Sequence, residues 1–361
     1  MKNYLFVSFF ILIQVLFAQS TESNSSEKLI TDGPYIFLSD SSYVINWIEN
    51  SKLKSKEVLF KNKICSKDSL LGLPLNLILR KNFRVEKDEL SINSDIAVIS
   101  DMHGQFEVFR RLLKNANVID DNLNWSFGNG YLVIIGDAFD RGEKVNEIFW
   151  LIVKLELQAK NKGGGVHYLL GNHDFMVLNN DLRYVNKKYF AVSKLLKKTI
   201  PEMYGKRSVL GKWLRSKNVI LGLNKLVFNH AGLSKEIAKS ALGIQKINKI
   251  FREKLIGITK KEVKADSLLT LLYRSKGPIW YRGYFRDREF TENDLDTVLT
   301  LFNKNKIFVG HTSFNKINTY FNNKLISIDS KIKTGKMGEI LIISKGKYKI
   351  INGKGIKRSL F

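Results

Sequence analysis

DIAVISDMHG at residues 95–104, GYLVIIGDAFDRG at 130–142 and VHYLLGNHD at 166–174 decide how this chain is read. Each opens as a short aliphatic run and ends abruptly in Asp, Asn, His or Arg. Runs of this length, rich in Val and Ile and closed by turn formers, read as buried strands. Between the first and second, Phe106, Phe109, Leu112, Leu113 and Ala116 recur at helical spacing. Between the second and third, KVNEIFWLIVKLELQAKNKGGG has an apolar face and a glycine stop. Strand, helix, strand, helix, strand implies an α/β layered sheet with parallel strands. The carboxyl ends of such strands lie side by side, where α/β proteins place their sites.

Those ends carry Asp101 and His103, then Asp137, Asp140 and Arg141, then Asn172, His173 and Asp174. Two later apolar runs, LVFNHAG and KIFVGHT, end in His230 and His311. The chain has five histidines, and four of them fall at these ends. The fifth, His167, lies within a strand and reads as a packing residue. Carboxylates, a carboxamide and imidazoles together suit borderline divalent cations such as Mn²⁺, Fe²⁺ and Zn²⁺. Two such ions sharing one carboxylate can clamp an in-line attack on phosphorus.

The blocks D-x-H-G, G-D-x-x-D-R-G, G-N-H-D, H-A-G and G-H-T, in this order, resemble the calcineurin-like metallophosphoesterase superfamily. LGKWLRSKNVI, NKLVFNHAGLS and PIWYRGYF narrow the resemblance to its Shewanella-like protein phosphatase branch. The resemblance spans roughly residues 95–330. It implies a four-layered α/β/β/α sandwich with a dimetal site at the strand ends. It also implies a dimetal-dependent phosphomonoester hydrolase, a protein phosphatase acting by metal-bound hydroxide. Position by position, Asp101 and His103 would hold the first metal, Asp137 would bridge, and Asn172, His230 and His311 would complete the second. His173 would be the general acid, oriented by Asp140. Arg141, Arg282 and Asn172 would hold the substrate phosphate. Mn is the expected metal, with Fe or Zn as alternatives. Many superfamily members carry a second histidine where this chain has Ser313, and a glycine where it has Ser100. Asp174 is expected to support the site rather than ligate. Arg183 and Tyr184 either line the substrate channel or pack the surrounding segment.

The rest of the chain is read around this centre. GPYIFLSDSSYVINWIE at 33–49 alternates about a Ser-Asp-Ser-Ser turn and predicts a β-hairpin. Residues 175–218 are basic, helical in pattern and rich in Tyr and Lys, and read as an insertion. Lys2 and the apolar run Tyr4–Ala18 have the form of a secretory signal, too short for a comfortable membrane span. A polar linker, QSTESNSSEK, follows. The expected organisation is a signal at 1–18, a linker and hairpin region at 19–94, and a catalytic domain at 95–361. The expected location is periplasmic or extracellular, in a bacterium, with no stable membrane span; a signal that does not export is the alternative. One cysteine, Cys65, excludes an internal disulfide.

A balance of 59 basic to 34 acidic residues, net +25, favours an anionic neighbour. The lysines are scattered, form no dense block, and suggest no specific nucleic acid. A phosphorylated protein or a small phosphoester is the expected substrate. Two rivals remain at this point: an exported nucleotidase or phosphodiesterase of the same superfamily, and a non-catalytic polyanion-binding protein.

Overall fold

The computed structural model describes residues 29–61, 69–70, 73–74, 79 and 81–361. The signal-like segment at 1–18 and Cys65 lie outside the described residues. The first three strands are β1 (Asp32–Leu38), β2 (Ser42–Glu49) and β3 (Lys52–Leu59). Short pieces follow at β4 (Ser69–Leu70), β5 (Leu73–Pro74) and β6 (Glu89–Leu90). The three deciding runs are β7 (Ile96–Ile99), β8 (Tyr131–Ile135) and β9 (Gly165–Leu169). Later strands are β10 (Ile220–Leu223), β11 (Leu226–Asn229), β12 (Lys306–Val309), β13 (Asn318–Tyr320) and β14 (Leu325–Ser327). The chain closes with β15 (Glu339–Ser344), β16 (Lys347–Asn352) and β17 (Lys357–Ser359).

Two six-stranded sheets form the centre. The first has the order β17-β16-β15-β7-β8-β9, and the second β13-β14-β12-β11-β10-β6. As the alternation of strands and helices predicts, β7, β8 and β9 are parallel, with Val98 opposite Val133 and Val133 opposite His167. The closing hairpin β15–β16 adds antiparallel strands to the edge of β7. Period-two alternation then divides the core. Ile96, Val98, Val133, Ile135 and Leu169 face Leu221, Phe228, Phe308 and Ile326 between the sheets. Within that layer Phe228 and Phe308 stack with ring centroids 4.6 Å apart. Ala97, Ile99, Leu132 and Ile134 face outward and join the larger core beneath the helices. Helices Phe106–Asn115 and Val145–Asn161 cover the first sheet, and Ile244–Lys254 packs against β10 of the second. This is the expected four-layered α/β/β/α sandwich.

The N-terminal hairpin forms as its alternation indicates, with Phe37 opposite Val44. It is extended by β3, whose basic residues give no strand signal because six of its eight side chains are exposed. The region around 175–218 is helical, with helices at Asn172–Leu178, Lys187–Leu196, Ile200–Met203 and Val209–Arg215. It packs on the small N-terminal sheet: Phe37 bridges to Ser208, and Leu38 N–H donates to Arg207 O at 2.7 Å. The second sheet also takes in β6, which pairs parallel with β10. His167 is half-buried rather than a plain packing residue. Its Nδ1 lies 2.9 Å from Glu86 Oε2, beside the buried Lys217, which also pairs with Glu156 at 2.5 Å.

A buried polar cluster ties the N-terminal sheet to the main body. Asp32 accepts from Asn146 Nδ2 at 2.7 Å and pairs with Lys188 at 2.6 Å, and Trp150 Nε1 donates to Pro34 O at 2.9 Å. Glu147 lies beside this cluster with a buried Oε2 that accepts no hydrogen bond. Burial, and then the Asp32 charge, push its carboxyl up to about 7. A carboxyl whose pKa is higher folded than unfolded adds stability while both states are protonated. That contribution is lost as pH rises through roughly 4.5 to 7. Glu147→Gln should therefore raise stability at pH 8 relative to the parent and change it little at pH 4, as urea denaturation at the two pH values would read.

Candidate active site

Five strands from two sheets deliver their ends to one place. β7 leads into Asp101 and His103, β8 into Asp137, Asp140 and Arg141, and β9 into Asn172 and His173. β11 and β12 bring His230 and His311 from the second sheet. The turns that follow these strands are sharp. Asp101, His103, Asp137, Asp140, Arg141 and His311 all have positive φ, between 44° and 73°. Such backbone costs on the order of 1–3 kcal/mol per residue and gathers at functional sites. Glycine is required where strands come closest. A Cβ on Gly171 would lie 2.2 Å from Asp137 Oδ1, and one on Gly136 (φ 76°) would meet Gly171 N at 2.6 Å.

Asp137 is the hub. Its Oδ2 lies 3.2 Å from His230 Nε2 and 3.6 Å from His103 Nε2, and its Oδ1 accepts from the His173 backbone N–H at 2.9 Å. His103 Nδ1 is 2.8 Å from Phe139 O, and His230 Nδ1 is 2.9 Å from Ile135 O. A carbonyl at Nδ1 fixes the N–H there and turns Nε2 inward, the outer support that metal-binding imidazoles usually have. Asn172 Oδ1 is 2.9 Å from His230 Nε2. His311 Nε2 is buried with no partner, and its ring lies 5.0 Å from that of His230. Asp101 Oδ2 takes a short hydrogen bond from Ser100 and another from His311 N–H at 3.0 Å, and its Oδ1 is 3.9 Å from His103 Nε2. Ser100, where the family commonly has glycine, thus adds a donor to that carboxylate.

The donor atoms of Asp137, His230 and His311 lie within 4.8 Å of one another, as do those of His103, Asp137 and His173. Carboxylate and imidazole donors at this spacing fit divalent cations, and the buried, unpartnered Nε2 of His311 is a donor that such an ion would satisfy. The second grouping places His173 where it could reach a metal. Its other contacts differ from those of His103. His173 Nδ1 is 2.5 Å from Asp140 Oδ2, and its ring centre stands 4.7 Å from that of His103 and 5.2 Å from that of the half-exposed Tyr184. It lies between the buried cluster and the half-exposed Tyr184.

The electrostatics follow from burial. Burial, with Arg141 and His173 adding to it, pushes His103 down to about 3 even though Asp137 pulls the other way. Burial and the His230 charge hold His311 well below the ordinary range. Both imidazoles are therefore neutral near pH 7, the form that ligates. Burial also opposes protonation of His230, but the Asp137 charge overrides it and lifts His230 to about 9. Burial and the Asp329 charge raise Asp101 well above the carboxylate range.

Arg282, in the loop before helix Gly283–Arg286, donates from Nη1 to His311 O and Thr312 Oγ1, both at 3.1 Å. The guanidinium of Arg141 lies 5.4 Å from the Tyr184 ring centre, and Arg141 N–H donates to Tyr184 O at 2.9 Å. Tyr184 thus borders the site, while Arg183 pairs with Asp181 at 2.7 Å further out. Ser313, where relatives often have a second histidine, donates a short hydrogen bond to Asp329 and accepts one from Lys333. Lys333 had no sequence signal, because it lies outside every motif.

Asp174 has a definite place. Its Oδ2 accepts from Gly171 N–H at 2.8 Å, Asp137 N–H at 3.1 Å and Tyr168 O–H at 2.7 Å. It fastens the β8 and β9 turns together from beneath. Burial and the Asp137 charge raise its carboxyl to about 7.

Residues 94–326 match the family model for the calcineurin-like phosphoesterases, and the chain belongs to that family. It is a metallophosphoesterase, a hydrolase of phosphoric ester bonds. It is 29% identical over 283 residues to Shewanella-like protein phosphatase 1 of Plasmodium berghei, covering 75% of this chain and 74% of that one. It is 31% identical over 259 residues to an uncharacterized protein of Schizosaccharomyces pombe, covering 69% and 76%. Among solved structures, the cold-active protein-tyrosine phosphatase of a psychrophilic Shewanella matches with a TM-score of 0.84 and 37% identity, over 92% of this chain and 100% of that one. The resemblance carried by the five sequence blocks therefore holds.

Replacing Asp174 tests its fastening role. Asp174→Ala should cost roughly 1–3 kcal/mol, because it leaves buried donors unpaired. Asp174→Asn should cost less, since its amide oxygen still accepts. Guanidinium denaturation of the two variants would read the difference.

Proposed function

We propose that this chain is a dimetal-dependent phosphomonoesterase that removes phosphate from proteins. The observation that carries the reading is the Asp137 carboxylate, set between the Nε2 atoms of His230 and His103 with His311 Nε2 unpartnered nearby. In this reading Asp101, His103 and Asp137 hold one ion, and Asp137, Asn172, His230 and His311 hold the other, with Mn²⁺ as the favoured metal. Bound there, the pair would acidify a coordinated water and neutralise charge on the phosphate oxygens. The chain's own residues do the rest. Arg141 and Arg282 present forked guanidinium donors that match phosphate oxygens. His173 protonates the leaving oxygen from Nε2, and Asp140 Oδ2 accepts from Nδ1–H, which holds the ring with Nε2 facing the substrate. A neutral leaving group then departs toward Tyr184 at the mouth.

The related Shewanella enzyme is described as a protein-tyrosine phosphatase. The half-exposed Tyr184 ring beside His173 and Arg141 supports a phosphotyrosyl side chain as substrate here, since an aromatic leaving group stacks on it. We further propose an exported enzyme, from the charged start and apolar run at 2–18; signal cleavage and cell fractionation test this. No helix among the described residues is long and apolar enough to cross a membrane.

Chelation should abolish hydrolysis of phosphotyrosyl peptides, and Mn²⁺ should restore it. His173→Ala should keep its metals but lose roughly 10²–10⁴ in rate. Normal turnover in that variant would remove His173 from the acid role. Faster cleavage of nucleotides or bis-aryl diesters than of phosphopeptides would favour the nucleotidase or phosphodiesterase reading. Absence of any metal-dependent hydrolysis would leave a polyanion-binding protein.

A further inference from the structure

The site opens into a groove of about 1320 Å³ that chemistry at phosphorus does not require. Its walls come from three segments: 178–183 after helix Asn172–Leu178, 257–260, and 273–282. At the inner end stand Met176, Trp280 and Arg282. The Trp280 ring is edge-on to His311 at 5.8 Å, and Met176 Sδ lies 4.0 Å from Asn172 Nδ2, so this end adjoins the reaction centre. The volume exceeds the roughly 300–1,000 Å³ of a small-ligand site. A phosphorylated side chain would fill the inner end and leave the remainder open.

The groove is held in shape by direct bonds between its walls. Asn179 Nδ2 donates to Leu255 O at 2.9 Å and Tyr273 Oη at 2.8 Å, and Asn179 Oδ1 accepts from Gly257 N–H at 2.5 Å. One side chain thus joins all three segments. Leu182 and Ile258 supply apolar lining. The outer rim is basic: Arg183, Lys260 and Arg274 are exposed there against a single acid, Asp181. Asp181 is 2.7 Å from Arg183 Nε and 3.6 Å from Lys260 Nζ, so its charge is already met. Arg274 has no ion pair among the described residues.

We propose that this groove seats the polypeptide flanking the phosphorylated residue and selects acidic residues there. The inference rests on the protein-phosphatase reading above and adds what that reading lacks, a basis for choosing among phosphoproteins. Three features carry it: the groove is continuous with the site, it is larger than the phosphorylated side chain, and its rim has an excess of positive charge. Rim charges act mainly through encounter rate and specificity, so the preference weakens as salt rises.

The test uses the full chain loaded with Mn²⁺ and three kinds of substrate. Two are peptides identical except that the phosphorylated residue is flanked by Glu in one and Lys in the other, each made with phosphotyrosine and with phosphoserine. The third is p-nitrophenyl phosphate. The native enzyme should favour the Glu-flanked peptide in kcat/KM, by a margin that shrinks with added salt. The double variant Lys260→Glu, Arg274→Glu should lower kcat/KM for the Glu-flanked peptide by roughly tenfold. It should leave p-nitrophenyl phosphate unchanged and improve the Lys-flanked peptide, a gain that no folding defect produces. Equal native turnover of the two peptides, or a parallel loss on all three substrates in the variant, overturns the groove alone. Turnover of p-nitrophenyl phosphate with neither peptide hydrolysed overturns the protein-phosphatase reading, and the groove with it.

Discussion

Four carboxylates, Asp101, Asp137, Asp140 and Asp174, are buried together at the strand ends, each 2% exposed or less. Like charges in a water-poor place repel, and burial alone drives such groups toward their neutral forms. Each acid is met by a different partner. Asp137 has imidazoles on two sides and a backbone N–H, and it stays ionised well below the ordinary range because the charges of His230 and His173 outweigh burial. Asp140 has His173, and Asp174 has two backbone donors and a tyrosine. Asp101 has a serine hydroxyl and one backbone N–H, and its carboxyl is driven up. The Nε2 atoms of His103, His230 and His311 face the same space. A divalent cation there would displace the His230 proton and favour the ionised form of Asp101, so cation binding and folding should reinforce each other.

The sandwich exists to bring these groups together. His230 and His311 come from one sheet, and Asp137 and His103 from the other. Their separation is set by the apolar layer between the sheets, where Val98, Val133 and Ile135 meet Phe228 and Phe308. Phe228 lies two residues before His230, and Phe308 three before His311, so the stacked pair bears directly on where the two imidazoles project. The core is close-packed and yields little. A change in the volume of those rings would be felt at the site, although neither ring touches it.

The chemistry-bearing residues were legible because their types are improbable where they stand. A buried aliphatic strand that ends in Gly-Asn-His-Asp breaks its own pattern, and the same break occurs five times in one order. What was not legible lies in residues whose own type is unremarkable. β3 has exposed lysines and no alternating apolar face, so nothing in its composition marks it as a strand. Lys333 and Asp329 meet Ser313 through folding of a distant loop. The histidine inside β9, which reads as packing, instead faces Glu86 from a segment 81 residues away. The signal for such contacts is spatial, and no local spacing contains it.

Asp174 shows how a motif can be half-read. Adjacent residues in LLGNHD serve different elements because the chain turns from strand to helix between them. Asn172 and His173 open the helix Asn172–Leu178 and project toward the site. Asp174, at the third position of that helix, points back beneath the turn and accepts the N–H groups of Gly171 and Asp137. Those donors belong to the two turns that carry the hub carboxylate and its neighbour. An acid at this helix end also gains from the dipole and from free backbone donors. The last residue of the motif therefore ties the turns after β8 and β9 together at the site, and its contribution to the chemistry is the position of Asp137.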